Sequence, residues 1–284
     1  MQAMVDERSK SELRSTWESA APGWAKWEQK FSAGLAEVTD ILIEMADIRP
    51  GQRVLDLACG AGSQTLLAAK RVGPGGSIVA SDISGSMLEH VRQNANAEGL
   101  RNIETLESAA ENLEVSQHPF DASICRLGLM LFPAPGLALE AIQRVLKPGA
   151  RFAALVNTTP ASNPFMAQPM RILLRHADKQ PPGPGQPGIF ALGGDGVLKN
   201  LLNKSGLTNV NTKTVRALLK LPSTSQALEL MQQAFGSYRA VVADLGEAER
   251  SKAWLEVREC LKQFENDDGF KTEFEFIIGS GARK

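Results

Sequence analysis

The segment VLDLACGAGSQT, residues 54–65, carries residues whose types and spacing suit nucleotide binding. A short apolar run contains Asp56, and Gly60 and Gly62 follow it just before a helix-like segment. Glycine permits a tight turn and lets a ligand approach the main chain closely. The start of a helix attracts anionic or polar groups. We therefore expect a ligand to lie on this turn.

A second acid, Asp82, stands at the end of the next apolar run. In doubly wound folds an acid at this position accepts hydrogen bonds from ribose hydroxyls. Ligands of such sheets bind beyond the carboxyl ends of the strands, so Asp56, Gly60 and Asp82 are expected at one site. The pattern indicates a ligand that contains a ribose.

Two such ligands compete. A dinucleotide turn reads G-x-G-x-x-G, but Thr65 stands at the third glycine position. An acid inside the end of the first strand, such as Asp56, suits a ligand with a charged amine near the turn, because a carboxylate there can attract the amine directly or through water. S-adenosylmethionine has that amine, a carboxylate, a ribose and a cationic sulfur, and it has no pyrophosphate. It is the predicted cofactor, with a nicotinamide dinucleotide and a purely structural turn as the alternatives.

The elements that must position these residues alternate along the chain. Short apolar runs separated by helical segments predict an α/β fold with a doubly wound, mostly parallel sheet of seven strands. The last strand is expected to be hairpinned or antiparallel. The predicted strands are 53–57, 77–82, 102–107, 120–126, 151–157, 208–215 and 270–278. After a helical stretch of about fifty residues, the predicted helices are 62–71, 86–98, 136–146, 196–205, 224–235 and 247–264.

Four stretches carry a resemblance to a known family. VLDLACGAGSQT resembles motif I of the class I S-adenosylmethionine-dependent methyltransferases, and VASDISGSMLE resembles motif II. ESAAENLEVSQHPFDASICRLGLMLFP and VLKPGARFAALV resemble the regions of the fourth and fifth strands. The resemblance covers residues 30–157 well and the last strands loosely. It is nearest to the ubiquinone/menaquinone-biosynthesis C-methyltransferase group, and it implies the Rossmann-like methyltransferase fold and methyl transfer by in-line displacement.

The resemblance also implies which residues hold the cofactor. Ala58 stands where the family often has the first glycine of motif I. Motif II would supply the ribose acid and two residues that flank the adenine. The implied cofactor-binding residues of the two motifs are Asp56, Ala58, Gly60, Gly62, Asp82, Ile83 and Met87.

One position departs from the family pattern. The family often has an acid that contacts the adenine amino group, and Ala109 occupies that place. The amino group would then need Glu111, the main chain of Ala109 and Ala110, or a water molecule.

The acceptor side shows no catalytic triad. Methyl transfer from a sulfonium needs a nucleophile held in attack geometry and the exclusion of water. Arg126, at the end of the fourth strand, either contacts a carboxylate or the substrate, or pairs with a helix acid. Trp17 and Trp24 either stabilise the sulfonium through an aromatic face or serve packing alone. The residues expected to line the substrate pocket are Leu127, Met130, Phe132, Phe165 and Phe190.

Histidines are the candidate bases. His176 lies in the proline- and glycine-rich segment 158–196 and could act as a base if that segment folds over the site. His118 precedes a proline in a polar loop and is expected at the surface.

The proline- and glycine-rich composition of residues 158–196 suggests how the chain is divided. Residues 1–50 are expected to form an N-terminal helical cap, and 51–157 the S-adenosylmethionine-binding core. Residues 158–196, with seven prolines, form an insertion or lid in preference to a flexible linker. Residues 197–284 supply the C-terminal part of the core sheet with additional helices.

Composition limits the partners. With 31 basic and 32 acidic residues, there is no global electrostatic case for nucleic acid. No apolar run approaches the roughly 18 residues of a membrane span, and the N-terminus lacks a signal-peptide core. Three scattered cysteines suggest neither a metal site nor a disulfide framework.

We expect a cytoplasmic enzyme that acts on a small, apolar or aromatic acceptor, with a homodimer as a further expectation. The alternatives are a nicotinamide-dependent oxidoreductase and a methyltransferase-like binding module without turnover. The first is disfavoured by Thr65 and by Tyr238, which lacks a lysine four residues later.

Overall fold

One mixed sheet organises the protein. The computed structural model describes residues 7–114, 119–183 and 185–284, so the expectation for His118 lies outside the described residues. Seven strands form the sheet in the order β3-β2-β1-β4-β5-β8-β6, and a two-residue strand, β7, pairs with β8. The strands are β1 Arg53–Leu57, β2 Ser77–Asp82, β3 Ile103–Glu107, β4 Phe120–Arg126, β5 Leu146–Asn157, β6 Thr208–Leu221, β7 Glu265–Asn266 and β8 Gly269–Ala282.

The first five strands are parallel, as expected for strands joined by helical crossovers. The central strands β1 and β4 are buried on both faces, which explains their nearly continuous apolar runs. The predicted doubly wound, mostly parallel sheet of seven strands is confirmed.

The last strand is antiparallel and lies inside the sheet, between β5 and β6. Strand β6 is longer than the predicted 208–215 and continues to Leu221. Its extension alternates buried Ala217, Leu219 and Leu221 with exposed residues, so one face of the strand is covered while the other meets solvent.

Helices cover both faces of the sheet. They are α1 Glu7–Gly34, α2 Ala36–Met45, α3 Ser63–Val72, α4 Gly85–Ala97, α5 Pro135–Val145, α6 Pro164–His176, α7 Val197–Lys204, α8 Thr224–Gln233, α9 Gly236–Val241 and α10 Glu247–Leu261. Helix α1 packs so closely on α8 that only glycine fits at position 23. A Cβ on Gly23 would lie 1.9 Å from the carbonyl oxygen of Gln233. This contact holds α1 across the carboxyl ends of the parallel strands.

The segment 158–196 contains α6 and a series of turns. Helix α6 packs against α10, with Phe165 and Leu173 fully buried. Asn163 Nδ2 donates a hydrogen bond to the carbonyl of Glu275 on β8 at 3.0 Å, and the carbonyl of Ile189 accepts one from Asn157 Nδ2 at the end of β5 at 2.9 Å. The segment therefore lies against the β5–β8 side of the sheet.

In the part of the chain that the structure describes, no helix has both the length and the apolar composition required to cross a bilayer.

Candidate active site

A largely apolar cavity lies beyond the carboxyl ends of β1, β2 and β4, beneath α1. This is the point where the chain order of the sheet reverses between β1 and β4, which is where ligands bind in doubly wound folds. The cavity is lined by Lys10, Leu13, Trp17, Trp24, Glu28, Phe31, Leu57, Ala58, Cys59, Gly60, Ala61, Gln64, Asp82, Ile83, Met87, Ser108, Ala109, Ala110, Glu111, Arg126, Leu127, Gly128, Leu131, Phe132 and Pro133.

The turn after β1 forms one wall of the cavity. Ala58, Gly60 and Gly62 all have positive φ angles, of 52°, 56° and 98°. A Cβ at Gly62 would also lie 2.9 Å from a methyl group of Val91, so this position needs glycine for both conformation and space. Gly60 has no atom near its would-be Cβ, which leaves its main chain open to a ligand.

Asp82 lines the cavity at the end of β2. Its Oδ2 accepts a hydrogen bond from the Gly60 N–H at 2.9 Å, and its Oδ1 accepts one from the Ser84 N–H at 3.0 Å. Burial raises the pKa of the Asp82 carboxyl, and the backbone hydrogen bonds act against that rise. A carboxylate has about four acceptor positions, so Asp82 keeps capacity for a ligand hydroxyl.

Asp56 does not reach the cavity. Its side chain is completely buried, its Oδ2 accepts a hydrogen bond from Thr65 Oγ1 at 2.5 Å, and its Oδ1 accepts one from Gln64 Nε2 at 3.3 Å. Desolvation raises the pKa of this carboxyl to about 7. The carboxylate thus ties β1 to the first turn of α3 and offers no direct contact to a charged amine of a ligand in the cavity.

The segment that follows β3 forms the opposite wall. Ala109, Ala110 and Glu111 line the cavity together with Ile83 and Met87. Among the described residues, Oε1 of Glu111 has no hydrogen-bond partner although the atom is buried. Buried acceptors without partners are costly, so this oxygen is suited to receive a donor from a ligand.

A cluster of polar side chains lies between α1 and the start of α3. Glu28 is 8% exposed, and its Oε1 accepts a hydrogen bond from the Ser63 N–H at 2.7 Å. Arg126 donates to Thr39 Oγ1 at 3.1 Å and to Ser63 Oγ. In the described parts of the chain, Arg126 has no carboxylate at salt-bridge distance; Glu28 and Asp56 influence it only through space.

Burial shifts both charged groups of this cluster. Desolvation raises the pKa of Glu28, while the Ser63 N–H and the charge of Arg126 act against the rise. Desolvation lowers the pKa of Arg126, and the charges of Glu28 and Asp56 act against that fall. Two opposite charges therefore face the cavity with part of their hydrogen-bonding capacity unused.

Helix α1 supplies an apolar wall. Trp17, Trp24 and Phe31 line the cavity, and the rings of Trp24 and Phe31 meet edge to face with centroids 5.4 Å apart. An aromatic face at this place can attract a cation.

Only part of the expected substrate pocket lines the cavity. Leu127 and Phe132 do, but Met130, Phe165 and Phe190 do not. Met130 is buried beside Asn157, Phe165 packs on Phe270 and its aromatic neighbours, and Phe190 packs against the main core. Since the segment 158–196 lies on the β5–β8 side, the described part of it contributes no residue to the cavity.

His176 is also placed elsewhere, so its candidacy as a base is not supported. Its Nδ1 lies 2.7 Å from Glu249 and its Nε2 lies 2.9 Å from Glu256, both on α10. Hydrogen bonds to Glu256 and Glu249 raise the pKa of His176. The side chain therefore links α6 to α10.

Sequence reasoning missed the contribution of α1 beyond its tryptophans. Lys10, Leu13, Glu28 and Phe31 also line the cavity. These residues follow the 3–4 spacing of one helix face that includes Trp17 and Trp24. A single acid, Glu28, on an otherwise largely apolar face was the signal that could have identified it.

Within the described ranges, no group of three or more histidine, cysteine or acidic side chains is arranged to hold a metal ion.

Comparison with known sequences identifies the domain. Residues 48–169 match the model of a family described as a methyltransferase domain. The chain is 34% identical over 167 residues to the ubiquinone/menaquinone biosynthesis C-methyltransferase UbiE of Ectopseudomonas mendocina, covering 58% of this chain and 65% of that protein. It is 35% identical over 147 residues to a demethylmenaquinone methyltransferase of Symbiobacterium thermophilum, covering 51% of this chain and 53% of that protein. The chain thus spans about half to two thirds of the length of these relatives.

Solved structures share the fold at low sequence identity. The [4+2]-cyclase SpnF superposes with a TM-score of 0.62 at 17% identity, covering 96% of each chain. The geranyl diphosphate C-methyltransferase of Streptomyces coelicolor A3(2) gives 0.52 at 14% identity, covering 88% of this chain and 76% of that one. Residues 48–169 therefore match a methyltransferase domain, and the chain is similar in sequence to quinone-biosynthesis methyltransferases over about half of its length and similar in fold to solved methyltransferases.

Proposed function

We propose that this protein transfers the methyl group of S-adenosylmethionine to a small, apolar or aromatic organic acceptor. The observation that carries the proposal is the Asp82 carboxylate, which lines an apolar cavity and is held by the main chain of the glycine turn. The bound cofactor would supply a methyl carbon that is already activated by its sulfonium.

The adenosine half of the cofactor is assigned to the wall formed by β2 and the segment after β3. Asp82 would accept hydrogen bonds from the ribose hydroxyls, and Ile83 and Met87 would pack on the adenine. Glu111 would accept a hydrogen bond from the adenine amino group, because its buried Oε1 has no partner among the described residues. This role would compensate for Ala109.

The other half of the cavity is assigned to the acceptor and the reacting groups. Trp24 and Phe31 on α1 face Leu127, Leu131 and Phe132 at the end of β4. Apolar walls of this kind favour an apolar or aromatic acceptor and exclude water from the transfer. The names of the relatives, which refer to ubiquinone and menaquinone biosynthesis, support a quinone-like ring as the first class of acceptor to test.

The rival functions have less support. The third glycine of a dinucleotide turn is replaced by Thr65, whose hydroxyl is bonded to Asp56. Tyr238 is 1% exposed and donates its hydroxyl hydrogen to the carbonyl of Met166 at 2.7 Å, so it does not offer the reactive hydroxyl of a reductase. A shared fold can host other reactions, so a binding module without turnover must be excluded by measurement.

Calorimetry and a transfer assay test the proposal. The protein should bind S-adenosylmethionine and S-adenosylhomocysteine and give no heat with NAD. With methyl-labelled cofactor, label should pass to an apolar fraction of small molecules, such as a demethylated quinol offered in detergent. Binding of NAD alone would reject the proposal, and cofactor binding without transfer to any small molecule would favour the binding module.

A further inference from the structure

The acids near the cavity occupy different environments. Asp56 is sealed away from the cavity by Thr65 and Gln64. Asp82 and Glu111 stand on the wall assigned to the adenosine half. The remaining acid among the described lining residues is Glu28, which α1 brings to the N-terminal end of α3.

From this arrangement, and resting on the proposed function, we propose that Glu28 and Arg126 form a two-charge clamp for the free amino-acid end of the cofactor. Glu28 accepts hydrogen bonds from the ammonium group, and Arg126 donates to the carboxylate. The residue that meets the amine thus comes from the helix that covers the site, and not from the acid of motif I.

The hydrogen-bond inventory supports the assignment. Oε1 of Glu28 accepts from the Ser63 N–H, and a carboxylate can accept further bonds. Arg126 has five N–H donors, and among the described residues its side chain donates to the hydroxyls of Thr39 and Ser63. One acceptor group and one donor group with capacity left over match one ammonium and one carboxylate.

The charges of Glu28 and Arg126 support the clamp as well. A buried charge is costly unless it is paired and hydrogen-bonded. Among the described residues Arg126 has no carboxylate at salt-bridge distance, and Glu28 is held by a main-chain N–H, so neither charge is fully compensated by the protein. A zwitterion that places one charge beside each group compensates both.

A competing explanation is that Glu28 only fastens α1 to α3. Another glutamate of α1, Glu18, contacts the first turn of α4 through the Ser86 N–H and hydroxyl, and it does not line the cavity. Glu18 therefore provides a matched control: an acid on the same helix, bonded to the start of a neighbouring helix, but outside the cavity.

The test compares three ligands by calorimetry. S-adenosylhomocysteine has both charges, 5′-(3-aminopropylthio)-5′-deoxyadenosine lacks the carboxylate, and 5′-methylthioadenosine lacks the whole amino-acid end. In the unmodified protein we expect affinity to fall in that order. Glu28→Gln should weaken the first two ligands about tenfold or more and leave 5′-methylthioadenosine within about twofold. Arg126→Gln should weaken S-adenosylhomocysteine alone.

The outcomes distinguish a failure of the clamp from a failure of the proposed function. Equal weakening of all three ligands by Glu28→Gln would show that Glu28 only fastens α1, and unchanged binding would also overturn the clamp. Glu18→Gln should change none of the affinities selectively. If Glu28→Gln fails to fold, the unmodified protein still decides the matter, because equal affinity for S-adenosylhomocysteine and 5′-methylthioadenosine would rule out the clamp. If the unmodified protein binds none of the three ligands, the proposed function itself fails.

Discussion

Replacing Asp82 by asparagine gives a sharp measure of the ribose assignment. The carboxylate is 7% exposed and already accepts hydrogen bonds from the Gly60 and Ser84 N–H groups. Asparagine keeps the shape and one acceptor oxygen, but it removes the charge and turns one acceptor into a donor. The change therefore affects at least one hydrogen bond between a charged group and a ribose hydroxyl.

Such a hydrogen bond contributes about 1.5–3 kcal/mol. The dissociation constant for S-adenosylhomocysteine should therefore rise about 10- to 100-fold in Asp82→Asn. Part of any change could come from a distorted glycine turn, since the new amide N–H₂ faces a main-chain N–H. The 2′-deoxy analogue of the ligand separates the two effects, because it lacks one of the hydroxyls.

Calorimetry on both proteins with both ligands forms a double-mutant cycle. The unmodified protein should prefer S-adenosylhomocysteine to its 2′-deoxy analogue, and Asp82→Asn should lose most of that preference. Thermal melts should confirm that each protein is folded at the temperature of measurement. An unchanged affinity, or equal weakening of both ligands, would refute the reasoning.

Three further predictions concern the adenine wall, the glycine turn and the α6–α10 contact. Glu111→Gln should weaken S-adenosylhomocysteine about tenfold but not S-inosylhomocysteine, whose purine ring has no amino group; calorimetry with equal losses for both would contradict the assignment. Gly62→Ala should lower the free energy of unfolding by about 2 kcal/mol, because φ is +98° and the new Cβ meets Val91, whereas Gly75→Ala, with open space, should stay near neutral in the same denaturant titration. His176→Gln should destabilise the protein by up to about 1 kcal/mol at pH 6 and by less at pH 9. The sign follows because Glu256 and Glu249 raise the pKa of His176, so its stabilisation is complete below 6.5 and is lost as the pH rises through the raised value; equal losses at both pH values would count against it.

Much of the fold followed from local patterns in the sequence. The strands 53–57, 77–82 and 120–126 were predicted with the bounds that the structure gives, because each is a short apolar run between turn residues. Strands β6 and β8 extend beyond their predicted limits. The extension of β6 alternates buried apolar residues with the exposed Arg216, Leu218 and Lys220, and the extension of β8 is the sequence Gly-Ser-Gly-Ala; both are stabilised by pairing with neighbouring strands, which a local pattern does not reveal.

The residues of the candidate site were also predicted only in part. Positions next to the glycine turn, such as Gly60 and Asp82, line the cavity because the end of a strand fixes where its side chains lie. Phe165 and Phe190 were misplaced, since the position of the segment 158–196 depends on packing against α10 and the sheet. Glu28 was missed because its role depends on how α1 crosses the strands, more than thirty residues from the turn that it contacts.

The place of β8 has a consequence for biosynthesis. Strand β6 pairs with β8 and with no other strand of the described sheet, so it has no partner until residues 269–282 have left the ribosome. About fifty residues separate the two strands, which at about 5–20 residues per second leaves β6 without a partner for roughly 2–10 seconds. During translation, this fourteen-residue strand, whose second half carries alternating apolar side chains, would thus present an unpaired edge to other nascent chains.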